Sequence, residues 1–337
     1  MTTSLRIILL GFGRVGQAVG EILTRKDGWI RKRYDLSPEL IGIADSSGMV
    51  FNREGKGIDV EMAMDVKRRS GMVSEYGKRN DLELADTSEL EVVLEETQPD
   101  ILVDVSSNDE AFSWHMTALE RGIAVVTSNK PPVALHYEEL IKLSRRRGVP
   151  YLFEATVMAG TPVIALLRRA LIGDTVKRIS AVLNATTTFI LTMMENGAGM
   201  DEAVKKAREM GILERDPKKD LDGIDAGYKA AILHDVAFGP IEFNRVKIRG
   251  ISGLRGEEVR GRRVRLVASI EDGRAEVKPV NLPDGHPLVV TGTENAALIE
   301  TDLLGELLIK GAGGGARETA SGVVSDIIEA ALSLRDW

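Results

Sequence analysis

Short apolar runs and helical stripes alternate along the first 150 residues. Leu5–Leu10 is apolar almost throughout, as a strand buried on both faces must be. A helical pattern follows to about Arg25, and Leu40–Ala44 reads as a second strand. The polar stretch Lys26–Glu39 between them reads as an insertion after the helix. Gly48–Arg79 is glycine-dotted and charge-rich and predicts one short helix over a surface loop. Beyond it, helix Glu89–Glu96, strand Asp100–Val105, helix Trp114–Arg121, strand Ile123–Val126 and helix Leu135–Arg147 continue the alternation. Strands and helices in this order, with short loops, predict a parallel doubly wound α/β sheet.

After residue 150 the rhythm changes. Tyr151–Glu154 is strand-like, Ala155–Pro162 is a loop of small residues, and a helix starts near Pro162. Strand Lys177–Leu183 leads to helices ending near Asn196 and spanning Asp201–Met210, and a further helix runs from about Gly223 to Phe238. From Val259 the pattern is antiparallel. Arg263–Ile270 and Ala275–Val280 flank Asp272-Gly273, a strong hairpin turn, and Leu298–Glu300 and Glu306–Ile309 form further strands before the closing helix Glu318–Leu334. A second, α+β domain with a mixed sheet is expected over 135–310, for substrate binding and dimerisation. The first domain, 1–134, is expected to bind a dinucleotide, with 311–337 packing back on it.

Composition narrows the function. A chain of 337 residues that is 43% hydrophobic suits about two domains. A net charge of -7 gives no support for nucleic acid or an anionic membrane as partner, and the basic runs lie among acids. No apolar run approaches the ~18 residues of a membrane span, and Met1–Ser4 opens no signal peptide. A soluble cytoplasmic protein is the expectation. The absence of cysteine removes disulfides, thiolate metal sites and cysteine nucleophiles. His115, His136, His234 and His286 lack ligand spacing and read as structural.

The first strand runs into Gly11-Phe12-Gly13-Arg14-Val15-Gly16, a G-x-G-x-x-G with strand before and helix after. In a Rossmann-type fold such glycines let the backbone approach a pyrophosphate on the positive helix end. Asp45 ends the second strand, where a carboxylate accepts from ribose hydroxyls and repels a 2′-phosphate, which slightly favours NAD over NADP. Arg53 and Lys56 in the next loop offer an offset. Ligands of such sheets bind at strand carboxyl ends, which adds Ser106, Ser107 and Lys130. Lys130 reads either as a group at the nicotinamide end of the cleft or as a surface lysine before Pro131-Pro132. Gly311-Ala312-Gly313-Gly314-Gly315, ahead of the closing helix, reads either as an anion-friendly helix end or as a hinge.

The stretch Gly211–Lys229 gathers the remaining chemistry. Pro217 and Gly223 punctuate it, Asp220 or Asp222 suits a helix cap, and Asp225 and Lys229, four apart, share one helix face. Glu214 precedes them on a loop able to fold back. An ordinary solvated Asp–Lys pair has the same spacing, worth about 0.2–0.5 kcal/mol. Two carboxylates and an amine converging on one volume would instead suit an amino-acid substrate and its proton.

Several segments together resemble homoserine dehydrogenase over nearly the whole chain: Gly11–Gly16, T-S-N-K at Thr127–Lys130, E-A-T-V-M-A-G-T-P at Glu154–Pro162, N-A-T-T-T-F-I-L at Asn184–Leu191, Glu214–Lys229, and G-A-G-G-G-A-R-E-T-A-S-G-V from Gly311. The chain departs from the family's usual glycine at Met158 and Ala185. The resemblance implies an NAD(P)-dependent enzyme that interconverts L-homoserine and L-aspartate 4-semialdehyde, and the mixed sheet, a common dimerisation surface, suits a homodimer. It implies that Glu214 and Asp225 hold the substrate beside Thr186, and that Lys229 and Lys130 are the lysines of proton transfer. Backbone carbonyls of Glu154, Val157, Ala159 and Thr161 would correspond to a monovalent-cation (Na+) site, and Gly311 to a cofactor contact. A kinase segment and a regulatory domain are not expected, so neither is threonine inhibition through one. Aspartate-semialdehyde dehydrogenase shares the substrate but needs the cysteine this chain lacks. Two alternatives remain: another small-amino-acid dehydrogenase, or a silent dinucleotide-sensing module, which has no use for Asp225 and Lys229.

Overall fold

The computed structural model describes residues 2–213 and 217–335. Contacts divide the chain into two compact units, Met1–Thr156 with Gly315–Trp337, and Val157–Gly314. Among the described residues no helix is long and apolar enough to cross a membrane.

The first unit is built on a seven-stranded sheet. Its elements are β1 (Thr3–Leu10), α1 (Arg14–Tyr34), β2 (Leu36–Asp45), β3 (Gly48–Phe51), α2 (Val60–Ser70), α3 (Ser74–Arg79), β4 (Glu83–Ala85), α4 (Leu90–Thr97), β5 (Ile101–Asp104), α5 (Phe112–Glu120), β6 (Ala124–Thr127), α6 (Lys130–Arg147) and β7 (Tyr151–Leu152). The order across the sheet is β4-β3-β2-β1-β5-β6-β7. β1 pairs in parallel with both β2 and β5, so its residues face helices on either side, and Ile7, Ile8 and Leu9 are fully buried. β3 and β4 add an antiparallel edge. The final helix α13 (Ala316–Arg335) belongs to this unit and buries Val323, Ile327 and Ala330 in one core with Val19 and Leu23 of α1.

Two expectations give way here. Lys26–Glu39 is not an insertion: α1 runs 21 residues to Tyr34 and ends on Asp35 in the left-handed conformation (φ 55°), and β2 begins one residue later. The distal half of α1 buries only Ile30, so its polar sequence disguised a helix. Gly48–Arg79 likewise holds a strand and two helices rather than one. In that segment α2 is capped by Asp59, whose side chain accepts from the Met62 N–H at 2.9 Å, and is stopped by Gly71 at φ 81°.

The second unit holds α7 (Val163–Ala165), which continues as a wider turn through Ala170, then β8 (Val176–Val182), α8 (Ala185–Glu195), α9 (Met200–Glu209), α10 (Lys218–Leu221) and α11 (Ile224–Ala237). It continues with β9 (Lys247–Ile248), α12 (Gly256–Val259), β10 (Arg263–Glu271), β11 (Arg274–Leu282), β12 (Glu294–Thr301) and β13 (Glu306–Ala312). The six-stranded sheet runs β13-β12-β8-β10-β11-β9, antiparallel except for β11 with β9. Asp272-Gly273 turns the β10–β11 hairpin with Gly273 at φ 69°, as that dipeptide predicts. α11 is buried along most of its length, including its one lysine, Lys229.

Candidate active site

In the first unit the glycine turn is shaped by close approach of backbone. Gly11 has φ +97°, and a Cβ there would sit 2.6 Å from the Ser106 amide nitrogen. A Cβ on Gly16 would lie 2.2 Å from the Gly11 carbonyl oxygen, so no other residue fits without moving the main chain. Gly13 faces open space, with nothing within 4 Å of where a Cβ would stand. It is also the N-cap of α1 and supplies no side-chain cap, so the first helical N–H groups have no side-chain partner there. Open space at Gly13, beside the N-terminus of a long helix, is what a pyrophosphate needs, and the residues present fit a dinucleotide. Phe12 is fully buried, and Arg14 is exposed.

Asp45 stands at the end of β2, one residue after Ala44, whose carbonyl accepts from the Gly11 and Phe12 N–H groups. Its carboxylate is already engaged. Oδ1 accepts from the Ser47 N–H (2.7 Å) and Ser47 hydroxyl (2.5 Å), and Oδ2 pairs with the Lys67 ammonium of α2 and accepts from the Val73 N–H (3.1 Å). Burial pushes this carboxyl up, but hydrogen bonds from Lys67 and Ser47 and the Lys67 charge outweigh it and hold it below the usual range. The expected offset from Arg53 and Lys56 is not what the geometry provides. Arg53 is bound to Glu96 and Lys56 to Glu54, whereas Lys67, 22 residues from Asp45 in sequence, supplies the positive charge. Lys67 is thus a residue that sequence reading missed.

Ser106 and Ser107 follow β5 on a turn in which the Ser106 N–H donates to Asp104 Oδ1 at 2.9 Å. Lys130 opens α6 immediately after Asn129 and is half-buried.

In the second unit Asp225 lies in the first turn of α11, after Gly223 at φ 81°, and Lys229 one turn later. Lys229 is only 7% exposed, and its Nζ is 2.9 Å from Asp225 Oδ2 and 2.6 Å from the Leu183 carbonyl oxygen at the end of β8. This is not a solvated surface pair. The Asn184 side chain joins it, donating to Asp225 Oδ2 (2.8 Å) and Asp220 Oδ1 (2.7 Å) while its own Oδ1 caps α8 at the Thr187 N–H (2.8 Å). Asp220 and Asn184 therefore belong to the cluster. Asp220 was legible only as a helix cap, and Asn184 only as part of a family segment. Thr186 is buried on the first turn of α8 and its hydroxyl donates to the Ile212 carbonyl at 3.3 Å. Glu214 lies outside the described residues.

For the cation loop, Glu154 lies in the first unit, its N–H donating to Asp326 Oδ2 at 2.8 Å, and Val157, Ala159 and Thr161 lie in the second. Met158 and Ala159 are both left-handed, at φ 58° and 53°. This explains why glycine suits position 158. The left-handed cost of about 1–2 kcal/mol at Met158 is matched by burial of its side chain, worth about 1.5–3 kcal/mol, since Met158 is 0% exposed. Ala185, the other departure from glycine, opens α8 in ordinary geometry with its methyl 3.9 Å from where a Gly314 Cβ would stand. Among the described residues no group of three or more His, Asp or Glu is placed to hold a metal ion, so a cation in this loop would rest on carbonyls. Gly311 pairs with Asn295 across β12–β13, and a Cβ on it would meet the Thr161 hydroxyl at 2.1 Å.

Residues 11–154 match the family profile "Homoserine dehydrogenase, NAD binding domain", and residues 162–328 match "Homoserine dehydrogenase". The chain is 47% identical to a homoserine dehydrogenase of Pyrococcus horikoshii over 97% of both chains. It is 32% identical to an NAD(+)-dependent homoserine dehydrogenase of Pseudomonas canavaninivorans, over 96% of this chain and 97% of that one. Among solved structures, a hyperthermophilic archaeal homoserine dehydrogenase in complex with NADPH superposes with a TM-score of 0.89 at 46% identity, covering 98% of each chain. Glycine turn, acid–lysine cluster and these matches agree along the full length, and the chain belongs to the homoserine dehydrogenase family.

Proposed function

We propose that this protein is an NAD(P)-dependent homoserine dehydrogenase that interconverts L-homoserine and L-aspartate 4-semialdehyde, in the cytoplasm, as a step of amino-acid biosynthesis leading toward threonine and methionine. The observation that carries the reading is the cluster of buried Lys229 and Asn184 with half-buried Asp225 and Asp220, present in the same chain as an open glycine turn. A module that only sensed a dinucleotide would gain nothing from burying an ammonium group among carboxylates, because desolvating such charges costs several kcal/mol.

The nicotinamide cofactor supplies the hydride acceptor and donor. The chain supplies the rest. Gly11–Gly16 backbone, with Asp45, Ser106, Ser107 and Gly311, holds the cofactor. Asp225 and Glu214 bind the substrate's polar groups, with Thr186 beside them. A lysine, Lys229 or Lys130, takes the proton from the homoserine hydroxyl and returns it in the reductive direction. The same reading assigns a monovalent cation, Na+, to the carbonyls of Glu154, Val157, Ala159 and Thr161, and a homodimer to the mixed sheet of the second unit. The exposed Leu303, Leu304 and Leu308 on β13 and its hairpin support the dimer. A turnover assay with L-homoserine and each cofactor tests the proposal. Binding of NAD and NADP without turnover of homoserine would leave the sensing module as the better description.

Cofactor choice follows from the Asp45–Lys67 pair. The retained Asp45 carboxylate disfavours a 2′-phosphate and its paired ammonium cancels part of that repulsion, so wild-type enzyme prefers NAD modestly. Lys67→Ala widens the preference by about tenfold, and Asp45→Ser moves it toward NADP, both read as the ratio of kcat/KM values, since one hydrogen bond to a charged group is worth about 1.5–3 kcal/mol. A tenfold wild-type preference for NADP would mean that the ammonium dominates.

A further inference from the structure

A buried polar chain joins the carboxyl ends of β5 and β6 to the first residue of β7, outside the residues assigned so far. Asp104, at the end of β5, is 0% exposed. Its Oδ1 accepts from the Ser106 N–H at 2.9 Å. Its Oδ2 lies 3.0 Å from His115 Nε2 and accepts from Asn129 Nδ2 at 3.1 Å. His115 Nδ1 lies 3.0 Å from the Tyr151 hydroxyl. Burial, and then the Asp104 charge, push the Tyr151 phenol well above its usual range, so it keeps its proton. The assignment in which Tyr151 O–H donates to Nδ1 and Nε2–H donates to Asp104 satisfies every atom of the chain. Burial also raises the Asp104 carboxyl, and the hydrogen bonds from His115 and from Ser106 bring it below the usual range.

Asn129 is where this chain meets the cofactor end of the sheet. It is the N-cap of α6, and its side chain makes no capping bond. An N-cap side chain normally accepts from the second or third helical N–H, and here Pro131 and Pro132 have none. Released from capping, the amide donates to Asp104 and, at 2.7 Å, to the Asn108 carbonyl. The Asn129 N–H donates to the Thr127 hydroxyl (2.9 Å), which donates to the Asp104 carbonyl oxygen (2.9 Å). The turn after β5, with Ser106 and Ser107, and the residue preceding Lys130 are thereby tied into one block. An Asp, a His and a Tyr buried only for stability would be an expensive choice, because apolar residues of similar size usually do as well.

We infer that Asp104, backed by His115 and Tyr151, is a positioning residue that acts through Asn129 to fix Lys130 and the Ser106–Asn108 turn. The inference rests on the reading of Lys130 and this turn as parts of a homoserine dehydrogenase site. Misplacement of a reacting group by about 1 Å costs about 10²-fold in rate. Asp104→Asn keeps the shape but turns an acceptor of two donors into a competing donor, and Asn129→Ala removes the tie itself. Each lowers kcat for homoserine by about 10–100-fold. KM for homoserine stays within about threefold, and the Kd of NADH, read by fluorescence titration without turnover, rises by less than kcat falls, because Ser106 and Ser107 are only part of the cofactor contact. Because the two residues act in series, the double variant is no slower than the worse single one by more than about threefold. If Asp104→Asn does not fold, Tyr151→Phe, which removes one hydroxyl, takes its place in the same cycle. Multiplicative losses, or a loss of NADH affinity equal to the loss in kcat, overturn the inference. Wild-type enzyme that binds NADH but leaves homoserine untouched overturns the functional reading instead.

Discussion

Lys229→Ala lowers kcat for homoserine oxidation by about 10²–10⁴ while the affinity for reduced cofactor stays nearly intact. Oxidation needs a base at the substrate hydroxyl and reduction needs an acid at the same oxygen, and an amine serves both directions. Lys229 is built for a fixed position: its Nζ is held by Asp225 Oδ2 at 2.9 Å and the Leu183 carbonyl at 2.6 Å, on a helix buried along most of its length. Removing the ammonium also takes a charge partner from the Asp225 carboxylate, so a lower melting temperature accompanies the loss. Pre-steady-state measurement of the hydride step, with Lys130→Ala as the parallel variant, separates the effects. A Lys229→Ala enzyme with wild-type kcat and raised KM would make Lys229 a binding group and give the proton to Lys130.

What the sequence disclosed follows a physical division. The glycine turn was readable because backbone approach is an all-or-none demand: a Cβ on Gly16 would stand 2.2 Å from a carbonyl oxygen, so the residue type itself records the geometry. Asp225 and Lys229 were readable as neighbours because helical spacing puts them on one face. Their burial was not, since an exposed pair has the same spacing; only β8 and Asn184 reveal it. The Asp45–Lys67 pair is closed by a fold in which α2 packs beside the end of β2, and nothing at either position marks the other. The same holds for the Asp104 chain, whose members come from three strands, one helix and the cap of another. His115 was read as structural, and in isolation its sequence neighbourhood offers no other reading. The second half of α1 was hidden for a compositional reason. Lys26–Tyr34 carries Gly28, many charges and one buried apolar residue, Ile30, so the periodicity that announces a helix is nearly absent.

Asp235→Asn flattens the fall in stability between about pH 5 and pH 8. Asp235 lies on α11 and is 4% exposed; its Oδ1 accepts from the Ile241 N–H at 2.8 Å, and its Oδ2 has no partner among the described residues. Burial raises this carboxyl to about 8, and the Ile241 hydrogen bond opposes the shift only in part. The unfolded chain loses the same proton near the ordinary value of about 3.9. Between these two values the folded state holds one proton more than the unfolded state. Stability therefore falls as pH rises through the window, by at most about 1.4 kcal/mol per pH unit, and the term is constant above about pH 8. Asparagine keeps the acceptor for Ile241 and cannot ionise, so this slope disappears. Urea unfolding of both proteins at pH 5, 6.5 and 8 reads the effect as a difference of differences, which cancels the many other groups titrating in both chains. The variant gains about 2–4 kcal/mol relative to wild type between the lowest and highest pH. Parallel stability curves would place the Asp235 proton in water-accessible surroundings and remove the buried acid from α11.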